Sequence, residues 1–400
     1  MTLLASACTG SSTSGANDAA HVVGTDASPL ASDAWAPTVD AYASPPAYDA
    51  PAPPGDAAQG FDAGPDTEPY LDAATDSGES GVARCGPGQL AVVGVGVNTL
   101  AVDDASVYWS ETFDGGGKIR KCAVAGCQCQ PTTVVETTSR SSPIALASGM
   151  LYFGSSDHAG SPVIAECPVS GCTQPTPVTG SLNSNPPLEI LADSDNVYWT
   201  NVASTTIFRC PATGCAQGTV FAQGSAGTFA LDATNVYWTG AGPAQGSGYA
   251  PGIVFSCPKS GCTQPTILAQ GPMSNPLNVP TYGWSGPLAV DSTSVYWEEQ
   301  GTYGSGDGTG NGSLMTCAIA GCATPTVLAQ GLPLPDLIAA DGSHVYWSGS
   351  YVGVQKCDVV SCSQASTIAP TDPSGITNFV VDATSVYWTT GWGALMKAPK

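Results

Sequence analysis

Cysteine is the residue of this 400-residue chain best placed for chemistry, with fifteen copies. Twelve of them form six C-x4-C pairs: Cys122/Cys127, Cys167/Cys172, Cys210/Cys215, Cys257/Cys262, Cys317/Cys322 and Cys357/Cys362. Two cysteines flanking a tight turn between antiparallel strands can reach disulfide distance. Each such bridge closes a loop of about six residues and stabilises by about 2 kcal/mol in the chain-entropy treatment. Zinc is the rival, but a structural site wants four ligands and no pair has a histidine beside it. Regular pairing of this kind belongs to an oxidising compartment outside the cytoplasm.

A second chemistry is binding. The long segments 239–252, 271–286 and 298–312 gather Tyr249, Tyr282, Trp284, Glu298, Glu299, Tyr303 and Asp307, a mixture of aromatic anchors and carboxylates that suits a protein or glycan ligand. Within them, residues 307–312 set oxygen-bearing side chains at alternate positions with Gly312 sixth, as a calcium loop does. One carboxylate is too few, and Ala318 stands where a bidentate Glu belongs, so no cofactor is expected, calcium being the one candidate. Catalysis finds little: His21, His158 and His344 are scattered, with no Ser-His-Asp grouping, phosphate loop or metal cluster. No catalytic residue is assigned.

These groups need a scaffold, and the scaffold is repetitive. Val107-Tyr108-Trp109 returns as Leu151-Tyr152-Phe153, Val197-Tyr198-Trp199, Val236-Tyr237-Trp238, Val295-Tyr296-Trp297, Val345-Tyr346-Trp347 and Val386-Tyr387-Trp388. The Tyr-to-Tyr steps of 44, 46, 39, 59, 50 and 41 residues mark one supersecondary unit repeated. Each unit reads as four short strands, in the fifth copy 287–291, 294–298, 313–317 and 326–329. The turn between its first two strands opens with Asp103, Asp193, Asp232, Asp291, Asp341 or Asp382, and only Ala147 departs. Aspartate there accepts a downstream N–H in an Asx-turn, which makes these carboxylates structural.

Alternation sends Val and Trp to one face of the second strand and Tyr to the other, so both faces must be covered. Sheets standing radially around an axis satisfy that demand, each hidden by its neighbours. The expected fold is all-β: a seven-bladed β-propeller of four-stranded blades spanning 85–400. The seventh copy lacks a fourth strand, and residues 89–93, an orphan strand at the front, are expected to complete it and close the ring. Cys85 and Cys129 then fall in adjacent blades, and a bridge across the closure seam is one pairing open to them.

The succession Leu-Ala-Val-Asp, Val-Tyr-Trp-Thr and an apolar strand ending near Cys resembles the YWTD-type β-propellers of low-density lipoprotein receptors and their bacterial relatives. That resemblance implies a module that mainly binds proteins, and it does not imply enzymatic activity. Two features depart from the family, which usually has six blades. Seven copies are present, and the family's Asp is replaced by Glu111, Asn201, Gly240, Glu299, Gly349 or Thr390.

Residues 1–8, Met-Thr-Leu-Leu-Ala-Ser-Ala-Cys, resemble the end of a bacterial lipoprotein signal, which implies lipidation at Cys8. Residues 9–84 are rich in Ala, Pro, Asp and Ser, too polar and too acidic to bury a core, and are expected to form a disordered tether reaching roughly 50 Å. A net charge of -22 with only 10 Lys and Arg excludes nucleic acid as a partner. The expectation is an exported, surface-tethered binding or scaffold module of a bacterium, lipid-anchored in the periplasm or at the cell surface and monomeric. Its alternatives are a metal-dependent, lactonase-like hydrolase or lyase, and a structural envelope protein without a dedicated ligand.

Overall fold

A computed structural model describes residues 85–400 apart from 94–96, 114–115, 138–142, 184, 202–203, 225–227, 242–251, 271–284, 300–311, 333–334 and 350–351. The described strands make seven antiparallel sheets of four. Blade one comprises Val97–Val102, Ser106–Phe113, Gly116–Ala123 and Thr132–Thr137, and blade two Ile144–Ala147, Met150–Ser156, Pro162–Pro168 and Thr176–Pro177. Blade three comprises Pro187–Ala192, Asn196–Asn201, Ser204–Pro211 and Thr219–Gln223, and blade four Phe229–Leu231, Asn235–Ala241, Gly252–Pro258 and Thr266–Gln270. Blade five follows with Ser285–Val290, Ser294–Glu299, Gly312–Ala318 and Thr326–Leu332, and blade six with Pro335–Ala340, His344–Gly349, Val352–Asp358 and Ser366–Thr367. Blade seven joins Ile376–Val381, Ser385–Thr390 and Ala394–Pro399 to Gln89–Val92 from the other end of the domain.

The tripeptide repeat explains why these sheets stand in a ring. Seven apolar clusters are present, one at each junction, and each takes the Tyr of one blade together with the Val and Trp (or Leu and Phe) of the next. Tyr237 of blade four, for example, packs with Val295 and Trp297 of blade five. The junction of blades seven and one is built in the same way, with Tyr387 meeting Val107 and Trp109, and that contact makes the ring complete. Closure is also covalent and hydrogen-bonded: Gln89, Ala91 and Val92 pair with Met396, Leu395 and Ala394.

All six C-x4-C pairs are bridged, and a seventh disulfide joins Cys85 to Cys129 at a Cα separation of 5.5 Å across the seam. The closest-set hairpin bridges are Cys357–Cys362, Cys122–Cys127 and Cys257–Cys262, with Cα separations of 5.0, 5.3 and 5.4 Å. They sit at the turn after the third strand, as expected, but not symmetrically about it. The first cysteine lies on the third strand and is buried, whereas Cys127, Cys172, Cys215, Cys262, Cys322 and Cys362 lie beyond it, outside the named strands, and are half-buried. The chain reverses early: Gly126 and Gly171, at φ of 109° and 114°, turn it just before the second cysteine, in a conformation that side chains resist. The fourth strand begins only after a few further residues, so each bridge pins the turn itself to the third strand.

These disulfide turns do more than staple a hairpin. The Cys172 N–H donates to Val134 O at 3.1 Å, Cys215 N–H to Val178 O at 2.8 Å, and Cys322 N–H to Leu268 O at 3.2 Å. In each case the acceptor lies on the outermost layer of the preceding blade, so the turn covers a free sheet edge.

Candidate functional site

The two ends of the ring differ in kind. At one end the first strand of each blade turns into the second through three or four residues opened by aspartate. Asp232 Oδ1 accepts the N–H groups of Thr234 and Asn235, each at 2.6 Å, and Asp103, Asp291, Asp341 and Asp382 do the same for their own turns. The other carboxylate oxygen accepts the repeat tyrosine's O–H five residues on, at 2.6–2.9 Å in blades one, four, five, six and seven. Burial together with this neighbouring carboxylate pushes Tyr108 and Tyr387 up to about 12. At Asp341, burial is outweighed by Lys400, whose Nζ lies 2.7 Å away, and by backbone N–H groups, which hold the carboxyl well below its ordinary range.

Blade two shows what happens when the aspartate is missing. Ala147 cannot accept, and Tyr152 turns instead to Glu166, its direct partner on the third strand. In blade three Asp193 forms an ion pair with Lys259 of blade four at 2.8 Å. These carboxylates belong to the scaffold, and six of the seven turns at this end open with one.

The opposite end carries the connections between second and third strands and between successive blades. Tyr249, Tyr282, Trp284, Tyr303 and Asp307, and with them the calcium-loop segment 307–311, lie outside the described residues, as does Cys8. Glu298 and Glu299 are described, at the end of blade five's second strand. Glu298 is fully buried and Glu299 half-buried, and burial pushes the Glu299 carboxyl up against an opposing hydrogen bond from Trp297. The two are consecutive on that strand, so their side chains point to opposite faces of the sheet and do not converge.

Their positions recur around the ring. The residue after the repeat Trp is Ser110, Thr200, Thr239, Glu298, Ser348 or Thr389, each buried. Three of these hydroxyls meet one on, or just before, the inner strand: Thr99 and Ser110 at 3.2 Å, Thr228 and Thr239 at 3.4 Å, Thr377 and Thr389 at 2.8 Å. The next residue faces the indole. Glu111 accepts the Trp109 Nε1–H at 2.6 Å and lies 3.5 Å from Arg120 and 3.9 Å from Lys118. Blade four has Gly240 there, and the Trp238 Nε1–H finds no partner among the described residues. A side chain at 240 is blocked, since a Cβ would come 2.2 Å from Gly224 O. The sequence contains this Trp-x-Glu spacing, but the packing role of the tryptophan obscures it.

One carboxyl stands apart from both patterns. Glu189, on the innermost strand of blade three, reaches to blade four, where its Oε2 accepts the Phe229 N–H at 3.2 Å. Burial pushes it up to about 8, against the opposing pull of that N–H. Folded Glu189 thus keeps its proton at pH values where the unfolded chain, with a glutamate pKa of about 4.3, has lost it. Its stabilising contribution is full below that unfolded value and disappears as pH rises through about 8. A Glu189→Gln variant is expected to melt higher than the parent, by the widest margin near pH 8 and by nothing near pH 4. Thermal melts across that range check it; a margin independent of pH overturns it.

Among the described residues no group of His, Cys, Asp and Glu is placed to hold a metal ion, and no helix is long and apolar enough to cross a membrane. Seven closed four-stranded blades define the chain as a β-propeller. The sequence matches no protein-family model and no curated protein. Solved propellers do resemble it. Virginiamycin B lyase from Staphylococcus aureus aligns over 76% of this chain and 95% of its own, at 12% identity and a TM-score of 0.53. The propeller domain of the trilobed protease from Pyrococcus furiosus, which has an open velcro topology, aligns over 76% and 92%, at 8% identity and a TM-score of 0.50. A puromycin-hydrolysing peptidase of Mycobacterium tuberculosis aligns over 77% and 52%, at 12% identity and a TM-score of 0.51. At these identities the likeness is one of fold.

Proposed function

We propose that the chain is an exported binding or scaffold module, held at a bacterial membrane through Cys8, that recognises a protein or glycan with the loop-bearing face of blades four and five. One observation carries this reading. The aspartate-opened turns repeat in six of the seven blades, whereas the sequence concentrates extra length in the connections 242–251, 271–284 and 300–311, between strands whose own geometry repeats. Seven disulfides suit an extracytoplasmic setting. The resemblance to YWTD-type propellers favours a protein over a glycan, and Trp284 with Tyr282 supply aromatic anchors of the kind that dominate such interfaces.

The test is binding of purified chain to arrays of envelope proteins and of glycans, with Trp284→Ala and Tyr282→Ala alongside. The expected result is one ligand class retained by the parent and weakened about tenfold or more by Trp284→Ala, as loss of a hot-spot aromatic implies. A ligand bound equally by parent and variants, or no ligand at all, overturns the assignment of this face.

A further inference from the structure

Six of the described tryptophans, Trp109, Trp199, Trp238, Trp297, Trp347 and Trp388, are buried in the junctions between blades, whereas Trp392 is 72% exposed. It sits between Gly391 and Gly393 at the tip of blade seven's second-to-third hairpin, on the loop-bearing face. An indole left in water forgoes the largest apolar burial available to a side chain, so a fold that fixes one there invites a reason.

The tip is fixed from two sides. The Trp392 N–H donates to Ser374 Oγ at 3.1 Å, and the Ser374 hydroxyl donates to Asp372 Oδ1 at 2.5 Å, which also accepts the Ser374 N–H at 2.8 Å. Gly391 N–H donates to Gly375 O at 3.1 Å, a close approach that requires glycine, since a Cβ at 391 would lie 2.3 Å from Ser374 O. On the other side Val93 N–H donates to Gly393 O at 2.8 Å. The residue before it, Val92, is 51% exposed. The tip that carries the ring is thus tied through Ser374 to the Asp372 carboxylate and, through Gly393, to the strand that ends in exposed Val92.

Charge selects the partner. Elsewhere this chain covers aromatic faces with its own cations: Lys118 over Phe113, Arg209 over Phe221, Lys400 over Tyr346 and Lys397 over Tyr387, at 5.3–5.6 Å. Among the described residues no cation lies over Trp392. Most of the described cations are engaged elsewhere. Lys121, Arg209 and Lys397 donate to carbonyls of the next blade, Lys259 and Lys400 pair with Asp193 and Asp341, and the sequence as a whole carries a net charge of -22.

We infer that Trp392, Asp372 and Val92 form a docking site for a Lys- or Arg-bearing segment of a partner protein, its cation seated over the indole and turned toward the carboxylate. The site lies in blade seven and is independent of the face over blades four and five. The test uses the full chain and a labelled Gly-Ser peptide carrying several arginines, its citrulline counterpart, and a neutral oligosaccharide. The arginine peptide is expected to bind, more weakly at roughly 300 mM than at 50 mM salt, and the citrulline peptide to bind about tenfold less. Trp392→Ala should lower affinity about tenfold with an unchanged melting temperature, since an exposed ring is removed. Asp372→Asn keeps the acceptor for Ser374 and removes the charge, and should cost about threefold. Equal binding of arginine and citrulline peptides, indifference to Trp392→Ala, or binding of the oligosaccharide alone overturns the proposal.

Discussion

The double variant Cys85→Ser/Cys129→Ser is expected to lose about 4 kcal/mol of stability, about twice the loss from removing any one hairpin disulfide. The two cysteines are 44 residues apart in sequence, whereas the hairpin pairs are separated by 5. Constraint on the unfolded chain grows with the logarithm of loop length, which gives about 4 kcal/mol for the long loop and about 2 kcal/mol for the short ones. The remaining ties at the seam are non-covalent. The closing strand Gln89–Val92 forms three registered pairs with Ala394–Pro399, and Leu90, Ala91 and Val93 supply the apolar contacts to blade one. Differential scanning calorimetry without reductant should show the melting temperature lowered by roughly 5–10 °C. Cys210→Ser/Cys215→Ser provides the comparison, and equal losses from the two pairs would remove any special role for the seam.

Truncating a repeat tryptophan is the second large effect. Trp238→Ala empties a fully buried position stacked on Phe255 at 5.6 Å, and is expected to cost about 3–5 kcal/mol. The more discriminating change is to phenylalanine, which keeps most of the volume and removes the N–H. At Trp109 that N–H donates to Glu111 at 2.6 Å, so its loss leaves a carboxylate only 4% exposed with one donor fewer. At Trp238 the N–H has no partner among the described residues, and phenylalanine relieves a buried donor. Trp109→Phe should therefore cost about 2 kcal/mol more than Trp238→Phe. Urea unfolding at neutral pH measures the difference; identical costs would show that the Glu111 bond contributes nothing.

The sequence made the ring legible for a physical reason. A strand buried on both faces has to alternate large apolar groups, and Val-Tyr-Trp does so in a form that survives changes in loop length. The same holds for the aspartate turns, the cysteine pairing and the closing strand at 89–93, since each depends on residue type at a fixed spacing. Spacing alone did not reveal that Cys127, Cys262 and Cys362 sit within the turn and not on the fourth strand, because the point of reversal is set by backbone conformation. Also hidden were contacts between repeats of unequal character. The tie from each turn aspartate to the tyrosine five residues on is masked by the tyrosine's evident packing role. Glu166, which replaces a missing aspartate from another strand, becomes visible only when strand register is known. Trp392 falls outside the repeat phase, so a period-based reading passes over it. Of the carboxylates at the end of blade five, Glu298 carries no sequence mark of the full burial that the structure gives it.

Because every junction takes a tyrosine from one side and a valine–tryptophan pair from the other, each blade presents a socket to one neighbour and a plug to the next. A duplicated unit arriving by recombination would find matching surfaces on both flanks, wherever in the circle it entered. The angle needed to bring the last blade round to the first is then what a change in copy number has to satisfy, while the joints themselves need no new packing chemistry.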